Sequence, residues 1–361
     1  MTTTTQLDLS ADLPDLLRAL IDMPSESRSE QMIADAVEAA LRRETHLEVV
    51  RDGHTIVART NLGRSHRVVI GGHLDTVPEN HNMPSRRVEV DGEDRIYGLG
   101  ACDMKGGVAI ALHLAARLTE PTRDITWIYY ECEEIESEFN GLRRLADERP
   151  ELIAGDFAVL MEPSNAVVEA GCQGTMRVEV RTHGVRSHSA RAWMGDNAIH
   201  RADEILRRLS AYEPRQVEID GLTYREGLNA VGIRGGVAGN VIPDECVVSV
   251  NYRFAPTRSS VEGEAHLREV FEGFDLVVVD AIDGALPGLS HPAAAAFVDA
   301  VGGEPSPKFG WTDVARFTSL GVPAVNFGPG NPSLAHHRDE FAPVADLYTV
   351  RDGFARWLTS D

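Results

Sequence analysis

Lysine is almost missing from this chain: of 35 basic residues, only Lys105 and Lys308 are lysine. So strong an arginine bias speaks to genome composition more than to mechanism. Cysteine is scarce as well. The four, Cys102, Cys132, Cys172 and Cys246, match no Cys-x-x-Cys zinc or redox spacing. A chain of 361 residues can bury a core without disulfide staples. No apolar run reaches the length of a membrane span. The opening Met-Thr-Thr-Thr-Thr-Gln-Leu-Asp-Leu has no basic stretch followed by an apolar one, so we expect no signal peptide and a cytoplasmic protein. Positive charge is outnumbered throughout. The formal net charge of -21 disfavours nucleic acid and anionic membrane as partners.

The apolar pattern divides the chain. Residues 11–43 read as two helices parted near Pro24. Leu47 to Ala58 reads as a strand. Arg67–Ile70, Ile125–Tyr130 and Phe157–Leu160 read as short buried strands, with helices over Lys105–Leu118 and Asn140–Ala146. From Thr175 the texture changes to strand, helix, strand, strand, helix, strand: 175–180, 197–209, 230–236, 246–254, 259–271 and 276–279. That order fits a ferredoxin-like split βαβ unit with an open sheet edge. After His291 the α/β texture returns, with helices at 293–301, 312–320 and 344–358 and a strand at 324–327. We expect one α/β domain, 1–174 and 290–361, interrupted by an inserted domain, 175–289.

Hard metal ligands collect where the strands end. His73 and Asp75 follow the first buried strand, in Gly-Gly-His-Leu-Asp-Thr-Val-Pro. Asp103 precedes a helix. The adjacent Glu133 and Glu134 follow the second buried strand, and Glu162 the third. Open α/β sheets bind ligands at such ends. A carboxylate has two oxygens, so Asp103 can bridge two metals. His73 with Glu162 can complete one site, and Glu134 with a histidine from His336-His337 the other. One imidazole and one carboxylate per site suit zinc, with cobalt or manganese as substitutes. Asp75 is placed to hold the far ring nitrogen of His73. Glu133 is then free to act as a general base. Blander readings exist: Asp103 as a helix N-cap, and Glu133-Glu134 as part of a solvated acidic run with Glu131 and Glu136. Cys102 and Cys132 read as small buried side chains.

Taken as a set, Gly-His-Leu-Asp-Thr-Val-Pro at 72–78, Gly-Ala-Cys-Asp-Met-Lys-Gly-Gly at 100–107, Glu133-Glu134, Glu162-Pro163 and His336 before Asp339-Glu340 resemble the M20 family of metallopeptidases and amidohydrolases. The resemblance covers essentially the whole chain. It implies a zinc-peptidase-like α/β/α catalytic domain with an inserted ferredoxin-like α+β lid and dimerisation domain, and hence a homodimer. It implies two Zn2+ per subunit, replaceable by Co2+, with Asp103 bridging, His73 and Glu162 on one metal, and Glu134 and His336 on the other. Family spacing selects His336 over His337. Glu133 takes the role of base and Asp75 that of orienting His73. His188, in Val-Arg-Ser-His-Ser-Ala, resembles a histidine that stabilises the tetrahedral intermediate in the partner subunit. Asn240, Arg253, Thr312 and Gly328 resemble substrate-binding positions, and an arginine suits a substrate carboxylate. Ala192 departs from the family pattern, in which a proline is common there. Glu-Ala-Gly-Cys-Gln-Gly-Thr at 169–175 and Gly-Trp-Thr-Asp-Val-Ala-Arg-Phe at 310–317 resemble an actinobacterial-type subgroup that hydrolyses N-succinyl-L,L-2,6-diaminopimelate. The small dicarboxylate amino-acid substrate is expected on that ground. Sibling N-acetylornithine deacetylases and dipeptidases share the same ligands.

Overall fold

The computed structural model describes residues 6–360. The first five residues of the segment read for a signal peptide lie outside the described residues. The chain forms two compact units. The first comprises the segment up to Ala170, Gly288–Ser306 and the segment from Arg316 onward. The second comprises Gly171–Pro287 and Pro307–Ala315.

In the first unit, Arg67–His73 lies between Asp124–Tyr130 and Phe157–Leu160, parallel to both. Ala324–Asn326 extends the parallel order beyond Phe157–Leu160. Every residue of Asp124–Tyr130 and of Phe157–Leu160 is buried. Continuous apolar runs rather than alternating ones are what a sheet covered on both faces requires. Helices Leu13–Ile21, Gln31–Leu41, Lys105–Arg117, Pro292–Val301 and Val344–Thr359 bury their apolar sides. Asp12 caps the first of these, accepting from the Leu13 N–H.

The expected 47–58 strand is a hairpin instead, Glu48–Asp52 paired antiparallel with Thr55–Arg59. Two further hairpins escaped the sequence reading: Arg86–Val90 with Glu93–Tyr97, and Gln216–Ile219 with Leu222–Arg225. Each turns on an Asp-Gly pair, Asp91-Gly92 and Asp220-Gly221, with φ of 53° and 82° in the first and 51° and 80° in the second. This left-handed pair is the hairpin signal of a two-residue loop. His73, expected just beyond its strand, is the strand's last residue.

The second unit is a four-stranded antiparallel sheet in the order Gly227–Gly235, Glu245–Phe254, Gly174–His183, Asp275–Ile282. Its core joins Val178, Val180, Val248, Val250 and Phe254 of the sheet to Ile205 and Leu267 of the helices. The expected 197–209 helix is two pieces, Ala198–Arg201 and Asp203–Ser210, because the turn tightens where the Ala202 N–H reaches Ile199 O. Residues 307–315, read as part of the returning α/β segment, group with this unit. Trp311 Nε1 donates to Asp283 O at 3.1 Å, within it. Gly227–Gly235 is an outer strand, and Val231 and Ile233 on it are 61% and 55% exposed. Among the described residues, no helix is long and apolar enough to cross a membrane.

A buried charge cluster holds this unit together. Glu226 is fully enclosed and accepts from Arg215 at 2.7 and 3.0 Å, from Tyr252 Oη at 3.1 Å and from the Ala255 N–H at 3.1 Å. Burial opposes its ionisation, but Arg215, the Ala255 N–H and Arg258 outweigh burial and hold the carboxyl below its ordinary value of 4.5. The stabilisation is therefore complete above pH 4.5 and is lost as pH falls through the lower folded-state value. Glu226→Gln should cost about 3–5 kcal/mol at neutral pH. Urea unfolding at descending pH should show that deficit shrinking once the wild-type carboxylate protonates.

Candidate metal centre

All seven predicted first-unit residues of the centre come to the C-terminal ends of the parallel strands. His73 ends Arg67–His73. Glu133 and Glu134 follow Asp124–Tyr130, Glu162 follows Phe157–Leu160, and Asp103 precedes Lys105–Arg117. Close backbone approach draws Asp103 and Glu162 together. A Cβ on Gly107 would lie 2.4 Å from Met161 O, so only glycine lets the helix sit this tightly beside the residue preceding Glu162.

Three groups of side chains each have ligand atoms within 4.8 Å of one another: His73, Asp103 and Glu162; His73, Glu133 and Glu134; Asp103, Glu134 and His336. His73 Nε2 is 3.1 Å from Asp103 Oδ1, and His336 Nε2 is 3.5 Å from Asp103 Oδ2. The two oxygens of Asp103 thus face different histidines, the disposition a bridging ligand needs. His336 Nε2 also lies 3.0 Å from Glu134. Asp103 is not the helix N-cap. The cap position belongs to Met104, which makes no side-chain cap bond.

Behind the ligands, His73 Nδ1 faces Asp75, 3.0 Å from its backbone oxygen and 3.4 Å from Oδ1. The proton therefore belongs on Nδ1, and Nε2 is left as the ligand atom. Asp75 is fully buried and also accepts the Glu133 N–H at 3.0 Å and the Glu134 N–H at 3.1 Å. One carboxylate thus sets both the histidine ring and the corner carrying the glutamate pair. That corner is no solvated acidic run: Glu131 is buried and paired with Arg144 at 2.6 Å.

The electrostatics are those of a cation site. Burial disfavours charge on His73, but Asp103 and Asp75 outweigh it and push the imidazole pKa well up. Hydrogen bonds to Asp103 and Glu134 raise His336 to about 10. Burial raises Glu134, with Asp103 beside it adding to the effect. Asp103 falls well below the carboxylate range because the two histidines overcome its burial. The carboxylates pull protons onto both imidazoles, so a divalent cation can take the place of those protons. Imidazole nitrogen and carboxylate oxygen around a shared aspartate fit a pair of borderline metals.

Two supporting residues went unread in the sequence. Ser27 Oγ donates to Asp75 Oδ2 at 2.7 Å. Glu30 is buried, and its Oε1 accepts the Cys132 N–H and Sγ–H, both at 3.2 Å. They lie in the loop between the first two helices, where no local spacing marks a support for a distant corner. Cys102 and Cys132 are buried free thiols, as expected.

The remaining predicted positions fall out as follows. Gly328 is in the first unit. Its N–H is taken by Ser164 Oγ at 3.0 Å and its oxygen by the Ala166 N–H at 3.0 Å, and a Cβ there would meet Met161 O at 2.4 Å. His188, Asn240, Arg253 and Thr312 belong to the second unit. His188 pairs with Val241 across a short ladder, and the Ser189 N–H reaches Asn240 O at 2.9 Å, so His188 and Asn240 are neighbours. Arg253 pairs with Thr175 and Gly227, and burial lowers its pKa. Thr312 is buried, its oxygen 3.7 Å from Cys172 Sγ.

A mixed sheet whose buried parallel centre gathers candidate metal ligands at its strand ends is the arrangement of a metal-dependent hydrolase. Residues 69–360 match the model of peptidase family M20/M25/M40, and the chain belongs to that family of metal-dependent amidohydrolases. A Corynebacterium glutamicum succinyl-diaminopimelate desuccinylase is 48% identical over 365 residues, covering 98% of each chain. A Mycobacterium tuberculosis relative, assigned by name to the same activity, is 54% identical over 355 residues, covering 98% of this chain and 99% of its own. Among solved structures, aminopeptidase PepT from Bacillus cereus superimposes with a TM-score of 0.77 at 18% identity, covering 98% of both chains. A dinuclear metal-binding M20 peptidase from Bacillus subtilis does so with a TM-score of 0.69 at 18% identity, covering 96% of both.

Replacing Ser27 with Ala should remove a bond to a buried charge and cost about 1.5–3 kcal/mol in chemical denaturation of the metal-free protein. Metal affinity should fall with it, since Asp75 loses a fixed partner.

Proposed function

We propose that this chain hydrolyses the amide of N-succinyl-L,L-2,6-diaminopimelate, yielding succinate and L,L-2,6-diaminopimelate for lysine and diaminopimelate biosynthesis. The observation that carries this reading is the identity of 54% with a relative of that name over 98% of the chain, together with a complete set of ligands. The metals are two Zn2+, with Co2+ able to substitute. Asp103 would serve both, with His73 and Glu162 to hold one and Glu134 and His336 to hold the other. When bound, such a pair supplies Lewis acidity toward the amide carbonyl and the attacking water.

The side chains do the rest. Glu133 takes the proton from the attacking water and returns it to the leaving nitrogen. Asp75 keeps the His73 proton on Nδ1 throughout. His188 Nδ1 accepts the Ala190 N–H at 3.0 Å, which leaves Nε2 as the protonated nitrogen. That N–H donates to the developing oxyanion, in the partner subunit of a homodimer. The exposed outer strand Gly227–Gly235 supports such pairing of copies. This reading assigns Arg253 to a substrate carboxylate and takes Asn240, Thr312 and Gly328 as further substrate-binding positions. A cytoplasmic location belongs to this reading, and four free buried thiols suit a reducing compartment.

Glu133→Gln should keep the metal content of the wild type and lower turnover by about 10²–10⁴-fold; near-wild-type turnover would remove Glu133 from the role of base. Zinc-loaded protein assayed side by side should hydrolyse succinyl-diaminopimelate in preference to N-acetylornithine. The opposite preference would make it a sibling deacylase with the same machinery.

A further inference from the structure

In the dinuclear reading Asp103 would present one oxygen to each metal, so the turn that carries it would tolerate little rotation. Its own side chain cannot supply that rigidity, because both oxygens face histidines. The helix that follows begins without a side-chain cap. What grips the turn is a carboxylate far away in sequence. Glu340 is 1% exposed. Its Oε1 accepts the Cys102 N–H at 2.9 Å and the Asp103 N–H at 3.1 Å, and its Oε2 accepts the Gly100 N–H at 3.1 Å. Its backbone oxygen takes the Gly98 N–H at 3.1 Å. The residues just after it, Phe341–Pro343, pair with Glu93–Tyr97. The chain entering the Asp103 turn is thus stitched along its length to the segment that carries His336.

We infer that Glu340 is a positioning residue for the metal centre: its carboxylate fixes the backbone turn of Asp103 and locks that turn to the segment bearing His336, so that the shared ligand and the second-site histidine are set together. The inference rests on the dinuclear metal reading. Glu340 is not itself a ligand here, since both its oxygens are committed to backbone N–H groups. Without the carboxylate, the buried N–H groups of Gly100 and Cys102 would lose their acceptor. The turn would then rotate to find others, taking Asp103 with it.

The test compares the wild type with E340Q and E340A. Zinc affinity is measured by competition with a chromogenic chelator, and melting temperature is measured without metal and with saturating zinc. Removing a partner behind a metal ligand weakens retention by about 10–100-fold. E340A should show a loss of that order and a smaller zinc-induced rise in melting temperature. E340Q should fall between, because its carboxamide oxygen can still accept from Cys102 and Asp103. If E340A does not fold, the intermediate affinity of E340Q carries the test. Variants that melt lower without metal, yet keep wild-type zinc affinity and the wild-type zinc-induced rise, would reduce Glu340 to a structural residue and overturn the inference. A wild type that binds no zinc would overturn the metal reading and this inference with it.

Discussion

The candidate metal centre hangs on a buried carboxylate that belongs to none of the three ligand groups. Asp75 gathers the N–H groups of Glu133 and Glu134, the hydroxyl of Ser27 and the Nδ1 side of His73. Each such bond to a charged acceptor is worth about 1.5–3 kcal/mol. Their joint effect is geometric: the ring of one ligand, the backbone of another and the backbone of the neighbouring glutamate are referred to one point. Burial alone would drive Asp75 toward its neutral form. His73 and the two backbone N–H groups overcome that, and the carboxyl stays below its ordinary range.

The carboxylates of the candidate site are held in this fold by other carboxylates. Glu30 takes the Cys132 N–H, Asp75 the next two, and Glu340 those of the Asp103 turn. Successive N–H groups converging on a buried carboxyl group make a stiff corner that needs no regular secondary structure. Such corners allow ligands to stand at strand ends, outside the ladder, without becoming mobile. The glycines complete the arrangement by letting backbone meet backbone, as Gly107 does at Met161.

Much of this was legible in the sequence because it is written locally. Buried strands announce themselves as apolar runs, and the ligands follow each run directly, so the Arg67–His73, Asp124–Tyr130 and Phe157–Leu160 strands and their ligands could be read together. The split βαβ order of the inserted unit came from alternation in Gly174–His183 and Glu245–Phe254. The missed hairpins carried a local signal, Asp-Gly, but their strands are short and largely exposed, and their apolar periodicity is faint. The grouping of residues 307–315 with the second unit depends on contacts such as Trp311 with Asp283, which no periodicity encodes. Ser27, Glu30 and Glu340 were illegible as supports for the same reason. What they hold lies far along the chain, and an isolated serine or glutamate in a loop has no signature.

His336 adds a consequence of a different kind. It stands beside Asp103 and Glu134, yet it follows the whole inserted unit in the chain. During synthesis His73, Asp103 and Glu162 leave the ribosome first, and the second site stays short of its histidine until the insertion has been translated. A chain released only as far as Glu162 carries the His73, Asp103 and Glu162 group and the His73, Glu133 and Glu134 group, but not the group that needs His336. An ion held by Asp103, Glu134 and His336 would close a very long loop containing the whole insertion, much as a cross-link would.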